Sequence, residues 1–343
     1  MKKHEVKELI AGMSLREKVA QLFIIVPEDT LPLSADFLQL LAVNPPGGFI
    51  YFARHMQDYN LALQLTVTLK AACSIAPFIS VDEEGGTVSR LGSAKVPGFH
   101  PQPAAALLGA TGNTNTAYHA AAHIGEALTE VGINMNYAPV ADVFTEPLNT
   151  VIASRAYSSD PQVVSEMAAA FSKGLQDSGV IAVAKHFPGH GGTREDSHYE
   201  TAILPASKEQ LAQTELVPFM RLIAAGIPCI MMGHMQVPLV TAPENLPACL
   251  SPLIVTDILR RELGFTGVIV TDAMDMKAIT NHYTAGEAAV LALQAGVDLL
   301  LMPEDYASAL EGVLAAVATG ALCEERLEQS LVRILNLKHA FLK

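Results

Sequence analysis

Several things are scarce or missing in this chain, and each absence narrows what it can be. Charged side chains make up only 17% of 343 residues while hydrophobic ones make up 50%, which excludes a disordered chain and leaves ample material for a large core. Basic residues are outnumbered, and the formal net charge of −13 argues against nucleic acid or an anionic membrane as a partner. The four cysteines, Cys73, Cys229, Cys249 and Cys323, include no CxxC pair, so they read as reduced thiols that mostly fill the core. No apolar run approaches the ~20 residues that cross a bilayer. Arg16, Glu17 and Lys18 interrupt the N-terminal stretch, so no signal peptide is read there and a cytoplasmic location is expected. There is no Gly-rich phosphate turn after the first apolar run, LFIIVPEDTLP, which removes the indication for nucleotide binding. Without GxSxG a serine esterase is disfavoured, and no HxH or HExxH is present to hold zinc.

What the chain does contain is a recurring phrase: a helical pattern, then Gly, then a short apolar run. It occurs at Gly132, Gly179, Gly226, Gly264 and Gly296. Gly just past a helix end supplies left-handed backbone that other residues resist. Apolar runs of four to six residues suit strands buried on both faces, as in parallel sheets. Ser14–Glu17 and Ser207–Gln210 match capping boxes; Asp160-Pro161 and Ser251-Pro252 match an N-cap followed by Pro. Strands are expected near 21–26, 47–52, 78–82, 135–140, 181–186, 228–233, 267–272 and 297–302, each followed by helix-like sequence. Eight such units predict an α/β fold of the TIM (β/α)8 barrel type, with residues 1–343 as a single domain closed by an amphipathic C-terminal helix. An open doubly wound sheet is the alternative.

Five polar residues sit at the ends of four of these strands. Asp82 follows strand three, Lys185 and His186 end strand five, His234 ends strand six and Asp272 ends strand seven. In a barrel all of them reach the C-terminal mouth, where such enzymes do chemistry. The richest segment is KHFPGHGGTREDSH, Lys185–His198, with three His, three Gly, two acids and two bases in fourteen residues. His186, His190, Asp196 and His198 leave a metal site open, although Phe-Pro-Gly between the first two histidines rules out one helix face. The other reading uses Asp272 as a carboxylate nucleophile or charge stabiliser. In it Asp196 and His198, two apart in an extended DSH segment, form a proton-transfer pair.

KHFPGHGGTREDSH closely resembles the signature of glycoside hydrolase family 3 β-N-acetylglucosaminidases, the NagZ-like enzymes. VDEEGGTVSRL at Val81–Leu91, SRAYSSDP at Ser154–Pro161 and VIVTDAMDM at Val268–Met276 extend the resemblance over most of the chain. It implies a TIM barrel and a retaining double displacement at a terminal β-linked GlcNAc. Asp272 is then the nucleophile, His198 the general acid/base and Asp196 its dyad partner. Asp82, Arg90, Arg155, Lys185 and His186 hold sugar hydroxyls, His234 is a wall of the pocket, and Met276 contacts the ring. Gly189, Gly191 and Gly192 are expected to let the loop swing over bound sugar. No cofactor or metal is implied. The substrate is a small sugar, and recycling of GlcNAc–anhydro-muropeptides follows from the family. Departures are Thr87 where Arg is frequent, Gly192 where Asp is frequent and Glu83 where Gln is frequent; they bear on loop closure and the second sugar subsite. The chain ends too soon after its eighth strand for the second domain of some relatives, so the barrel alone is expected to form the site. Competing functions are a β-N-acetylglucosaminide phosphorylase, a family 3 β-glucosidase, a metal-dependent TIM-barrel hydrolase, and a sugar-binding barrel without catalysis. Monomer and dimer are both compatible with the composition.

Overall fold

The structure is a computed structural model that describes residues 3–194 and 201–342. Its eight strands are β1 (Phe23–Ile25), β2 (Gly48–Tyr51), β3 (Phe78–Val81), β4 (Met135–Asn136), β5 (Ile181–Phe187), β6 (Cys229–Met232), β7 (Val268–Thr271) and β8 (Leu300–Leu301). Neighbours in sequence are neighbours in space, every pairing is parallel, and β1 also pairs with β8. The ring closes where Val270 bridges Leu299 and Thr271 N donates to Leu299 O at 3.0 Å. This is the TIM barrel expected from the eight apolar runs.

All eight expected strands are present, but β4 and β8 are shorter than their apolar runs. Pro139 has no N–H to give, so the β4 ladder stops at Asn136 and returns as a single bridge between Val140 and Lys185. At the end of β8, Met302 turns into left-handed backbone with φ 49°. The glycines read as helix terminators, Gly132, Gly179, Gly226, Gly264 and Gly296, all have positive φ. The Ser14 and Ser207 capping boxes form, and Asp160 accepts from Gln162 N at 2.8 Å ahead of Pro161. Ser251 differs: the helix Leu253–Glu262 starts with no side-chain cap and is wound more widely, in the π form.

The closing helix Glu324–Phe341 buries Leu327, Leu331, Ile334 and Leu335 against the barrel. Lys18 ties it to the start of the chain, with Nζ 2.8 Å from Glu324 and 2.7 Å from Glu328. The strands are buried on both faces, as a helix-wrapped parallel sheet requires. Only their C-terminal ends carry charge into an open space, and there the site lies.

Candidate active site

A cavity of about 380 Å³ opens at the C-terminal mouth. Its lining divides by strand. The β8–β1–β2 sector gives Ile50, Phe52, Leu301 and Met302, with Met276 beside them. The β3–β7 sector gives Asp82, Arg155, Lys185, His186 and Asp272. An apolar wall thus faces a polar one, the arrangement that suits a ligand with one greasy and one hydroxylated side.

The polar wall is built around Lys185. Its Nζ lies 2.6 Å from Asp82 Oδ1 and 2.6 Å from Glu84 Oε1. Asp82 and Glu84 reach the same ammonium because alternate residues of an extended segment point the same way. Arg155 then grips Glu84 with two bonds, Nε to Oε2 at 2.9 Å and Nη2 to Oε1 at 2.7 Å. Burial alone would raise the Glu84 carboxyl, but Lys185 and Arg155 outweigh it and hold it far below the usual carboxylate range. Burial likewise opposes charge on Lys185, and Asp82 and Glu84 overcome it, so its pKa rises. Each charge stays ionised only because of the others.

His186 is set by Asp142, whose carboxylate is fully buried. His186 Nδ1–H donates to Asp142 Oδ2 at 2.7 Å, which fixes the tautomer and leaves Nε2 for a ligand. Asp142 Oδ1 also accepts the His190 amide at 2.7 Å. Burial would raise the Asp142 carboxyl; His186 and the His190 amide reverse this and lower it.

Asp272 follows β7 directly and lines the cavity. Its Oδ1 accepts the Ala273 amide at 2.8 Å. Burial would raise its pKa, yet the neighbouring His186, the Ala273 amide and Lys185 together hold it below the usual range. An ionised carboxylate with one oxygen uncommitted among the described residues is what a nucleophile needs.

Of the residues singled out in the sequence, Asp82, Arg90, Arg155, Lys185, His186, Asp272 and Met276 all line this one cavity. His234 does not. It is fully buried behind the wall, where Nε2–H donates to Ala273 O at 2.8 Å and Nδ1 lies 3.2 Å from Cys249 Sγ. Burial lowers the imidazole and raises the Cys249 thiol, so the sulfur donates to a neutral ring. His234 therefore supports the turn that carries Asp272 instead of touching a ligand. Asp196 and His198 lie outside the described residues.

Two of the three loop glycines, Gly189 and Gly191, lie very close to their neighbours. A Cβ on Gly191 would sit 1.9 Å from Val143 O, and one on Gly189 (φ 135°) would sit 2.8 Å from the Glu215 side chain. Gly191 O accepts from both Thr145 N and Glu146 N, at 3.2 and 3.1 Å. These glycines permit close approach of backbones. They hold the root of the loop close to its neighbours.

Sequence reasoning missed Asp142, Glu84, Asp275 and Phe52. The signal for Asp142 was present: APVAD is an apolar run ending in an acid, the same pattern that marked Asp82 and Asp272. Glu84 was in view two residues from Asp82. Phe52 and Asp275, both lining the cavity, carry no local signal of their own.

Residues 14–337 match the glycosyl hydrolase family 3 N-terminal domain. A β-hexosaminidase A from Pseudoalteromonas piscicida is 34% identical over 90% of this chain and 55% of its own length. A β-hexosaminidase from Nitrosomonas eutropha is 36% identical over 85% of each chain. The solved structure of a family 3 β-N-acetylglucosaminidase from Paenibacillus sp. FPU-7 superposes with a TM-score of 0.91 at 40% identity, over 96% of this chain and 62% of that one. The chain thus spans little more than half of some relatives and most of others. It belongs to glycosyl hydrolase family 3.

Proposed function

We propose that this family 3 member is a retaining exo-β-N-acetylglucosaminidase that removes terminal β-linked GlcNAc. The observation that carries the reading is Asp272, a carboxylate held ionised on the same polar wall as Lys185, Arg155 and His186, in a cavity whose opposite side is apolar. In the proposed reaction one Asp272 oxygen attacks C1 of the sugar as the C1–O bond to the leaving group breaks. His198 gives its proton to the departing oxygen, then takes one from the water that cleaves the glycosyl ester, and Asp196 orients the imidazole. General acid/base transfer of this kind contributes about 10²–10⁴ in rate. Asp82, Lys185 and Arg155 hold hydroxyls, and a hydroxyl donor left unpaired costs about 1–3 kcal/mol, which discriminates between epimers. The apolar sector with Phe52, Met276 and Met302 takes the less polar side of the ring.

The barrel by itself is proposed to be the catalytic unit. GlcNAc–anhydro-muropeptides in the cytoplasm are the proposed natural substrates. The names of the relatives support the hexosaminidase part of this reading; cell-wall recycling comes from the resemblance of the Lys185–His198 segment.

The test is release of p-nitrophenol from p-nitrophenyl β-N-acetylglucosaminide by wild type, with EDTA and with phosphate in parallel. Chelator-resistant turnover giving free GlcNAc supports the reading. Faster turnover in phosphate, with GlcNAc-1-phosphate as product, replaces it by a phosphorylase. Loss on chelation replaces it by a metal-dependent hydrolase.

A further inference from the structure

Arg90 brings a guanidinium to the cavity wall and, unlike Lys185 and Arg155, has no carboxylate at ion-pairing distance among the described residues. A flexible side chain without an ionic partner must be aimed by its backbone. Directly behind that backbone sits Glu83, fully buried. Its Oε2 accepts two amides at once, Arg90 N at 2.6 Å and Leu91 N at 2.9 Å, while Oε1 is buried with no hydrogen-bond partner. The loop between them is a tight turn: Gly85 and Gly86 both have positive φ, and Glu84 N donates to Val88 O at 2.9 Å.

We propose that Glu83 is a positioning residue, whose side chain grips the Arg90–Leu91 backbone and so aims the Arg90 guanidinium at bound substrate. The proposal rests on the reading of this cavity as the sugar site. Glu83 itself is anchored independently of its side chain. Glu83 N donates to Asn136 Oδ1 at 2.9 Å, and Asn136 Nδ2 donates to Glu83 O at 2.8 Å. The β3–β4 junction therefore survives loss of the carboxyl, and the effect of that loss falls on the loop. Burial pushes the Glu83 carboxyl up, only partly offset by the Leu91 amide, the Ser89 hydroxyl and Arg90. Gln keeps an oxygen that would accept the same two amides, which makes it the conservative variant.

The test compares Glu83→Ala, Glu83→Gln, Arg90→Ala and the double variant Glu83→Ala/Arg90→Ala on p-nitrophenyl β-N-acetylglucosaminide, with wild type as control. Glu83→Ala is expected to raise KM about tenfold with kcat within about threefold, and Glu83→Gln to restore wild-type KM with an equal or higher Tm. In the Arg90→Ala background Glu83→Ala should add less than about twofold, because the two act as one unit. Additive losses, or an unchanged KM in Glu83→Ala, overturn the proposal while leaving the glycosidase reading intact. A wild type without turnover sinks that reading instead. Hydrogen exchange at the Arg90 and Leu91 amides then decides for Glu83: faster exchange in Glu83→Ala supports the grip, and unchanged exchange removes it. If Glu83→Ala does not fold, Glu83→Gln with wild-type exchange and KM sustains the proposal, and a raised KM refutes it.

Discussion

The barrel has a charged network at each end, built from the same kinds of side chain, and the two behave differently. At the N-terminal end Asp298 is fully buried beside the start of β8. Its Oδ1 accepts from Ser330 Oγ at 2.6 Å and Arg333 Nη1 at 2.9 Å, and its Oδ2 from Ile269 N at 3.0 Å and from Arg260. Arg326 is equally committed, to Leu293 O at 3.0 Å, Ser330 Oγ at 2.7 Å and Val297 O. Both Asp298 oxygens are taken, and the network staples the closing helix to β7 and β8. At the mouth Lys185, Glu84 and Arg155 are just as tightly paired, yet Asp272 and Arg90 are not. The Asp298 network is satisfied within the protein, whereas the charge of Asp272 and Arg90 at the mouth is left partly unsatisfied, which costs stability and makes a ligand welcome.

That difference is open to direct attack. The largest expected effect is Asp272→Ala, which should lower turnover by at least about 10⁴-fold with Tm nearly unchanged; a lowered Tm with residual activity would make the mouth structural after all. Its counterpart is Asp298→Ala, which leaves Arg260, Arg326 and Arg333 facing one another. A loss of about 3–5 kcal/mol in urea unfolding is expected, with normal kcat for the folded fraction. If Asp298→Ala instead reduced kcat at full stability, the two ends would not be separable.

Next in size is Gly191→Ala. The new methyl would meet Val143 O at 1.9 Å and displace the loop root. A fall in kcat of about 10²-fold is expected from a displacement near 1 Å. A harmless substitution would show that the loop root gives way to the added methyl without loss of function. The smallest effect concerns Lys338, buried at the bottom with Nζ 2.9 Å from Gln21 Oε1 and 5.0 Å from the centre of the Phe78 ring, and with no carboxylate at ion-pairing distance among the described residues. Burial lowers its pKa to about 7, against an ordinary value of 10.5. Between these values the unfolded chain holds the proton and the folded one does not, so this group's penalty is full below about pH 7 and disappears as pH rises towards 10.5. Lys338→Met should therefore be more stable than wild type at pH 7, by about 1–3 kcal/mol, and lose that advantage near pH 10.5. Parallel stability curves for the two proteins would show that Lys338 stays charged and satisfied.

The barrel was legible because its signals are local. Each Gly that ends a helix and each apolar run that follows acts within a few residues, so eight units could be counted before any contact was known. Asp82, Lys185, His186 and Asp272 were legible for the same reason, as polar residues directly after apolar strands. His234 met that criterion and still does not line the cavity, because the strand-end rule gives a residue's height in the barrel and not the direction of its side chain.

The sequence by itself determined the repeat, the order of the strands, the helix caps and the end of the barrel that carries chemistry, since these follow from backbone preference and hydrophobic periodicity. Only the tertiary structure decided who meets whom. It brought Glu84 between Lys185 and Arg155, put Asp142 behind His186, packed Gly191 against Val143, and set Glu83 under Arg90. Those choices depend on distances between strands far apart in the chain, where a few ångströms decide whether a charge is partnered, exposed or held ready for a ligand.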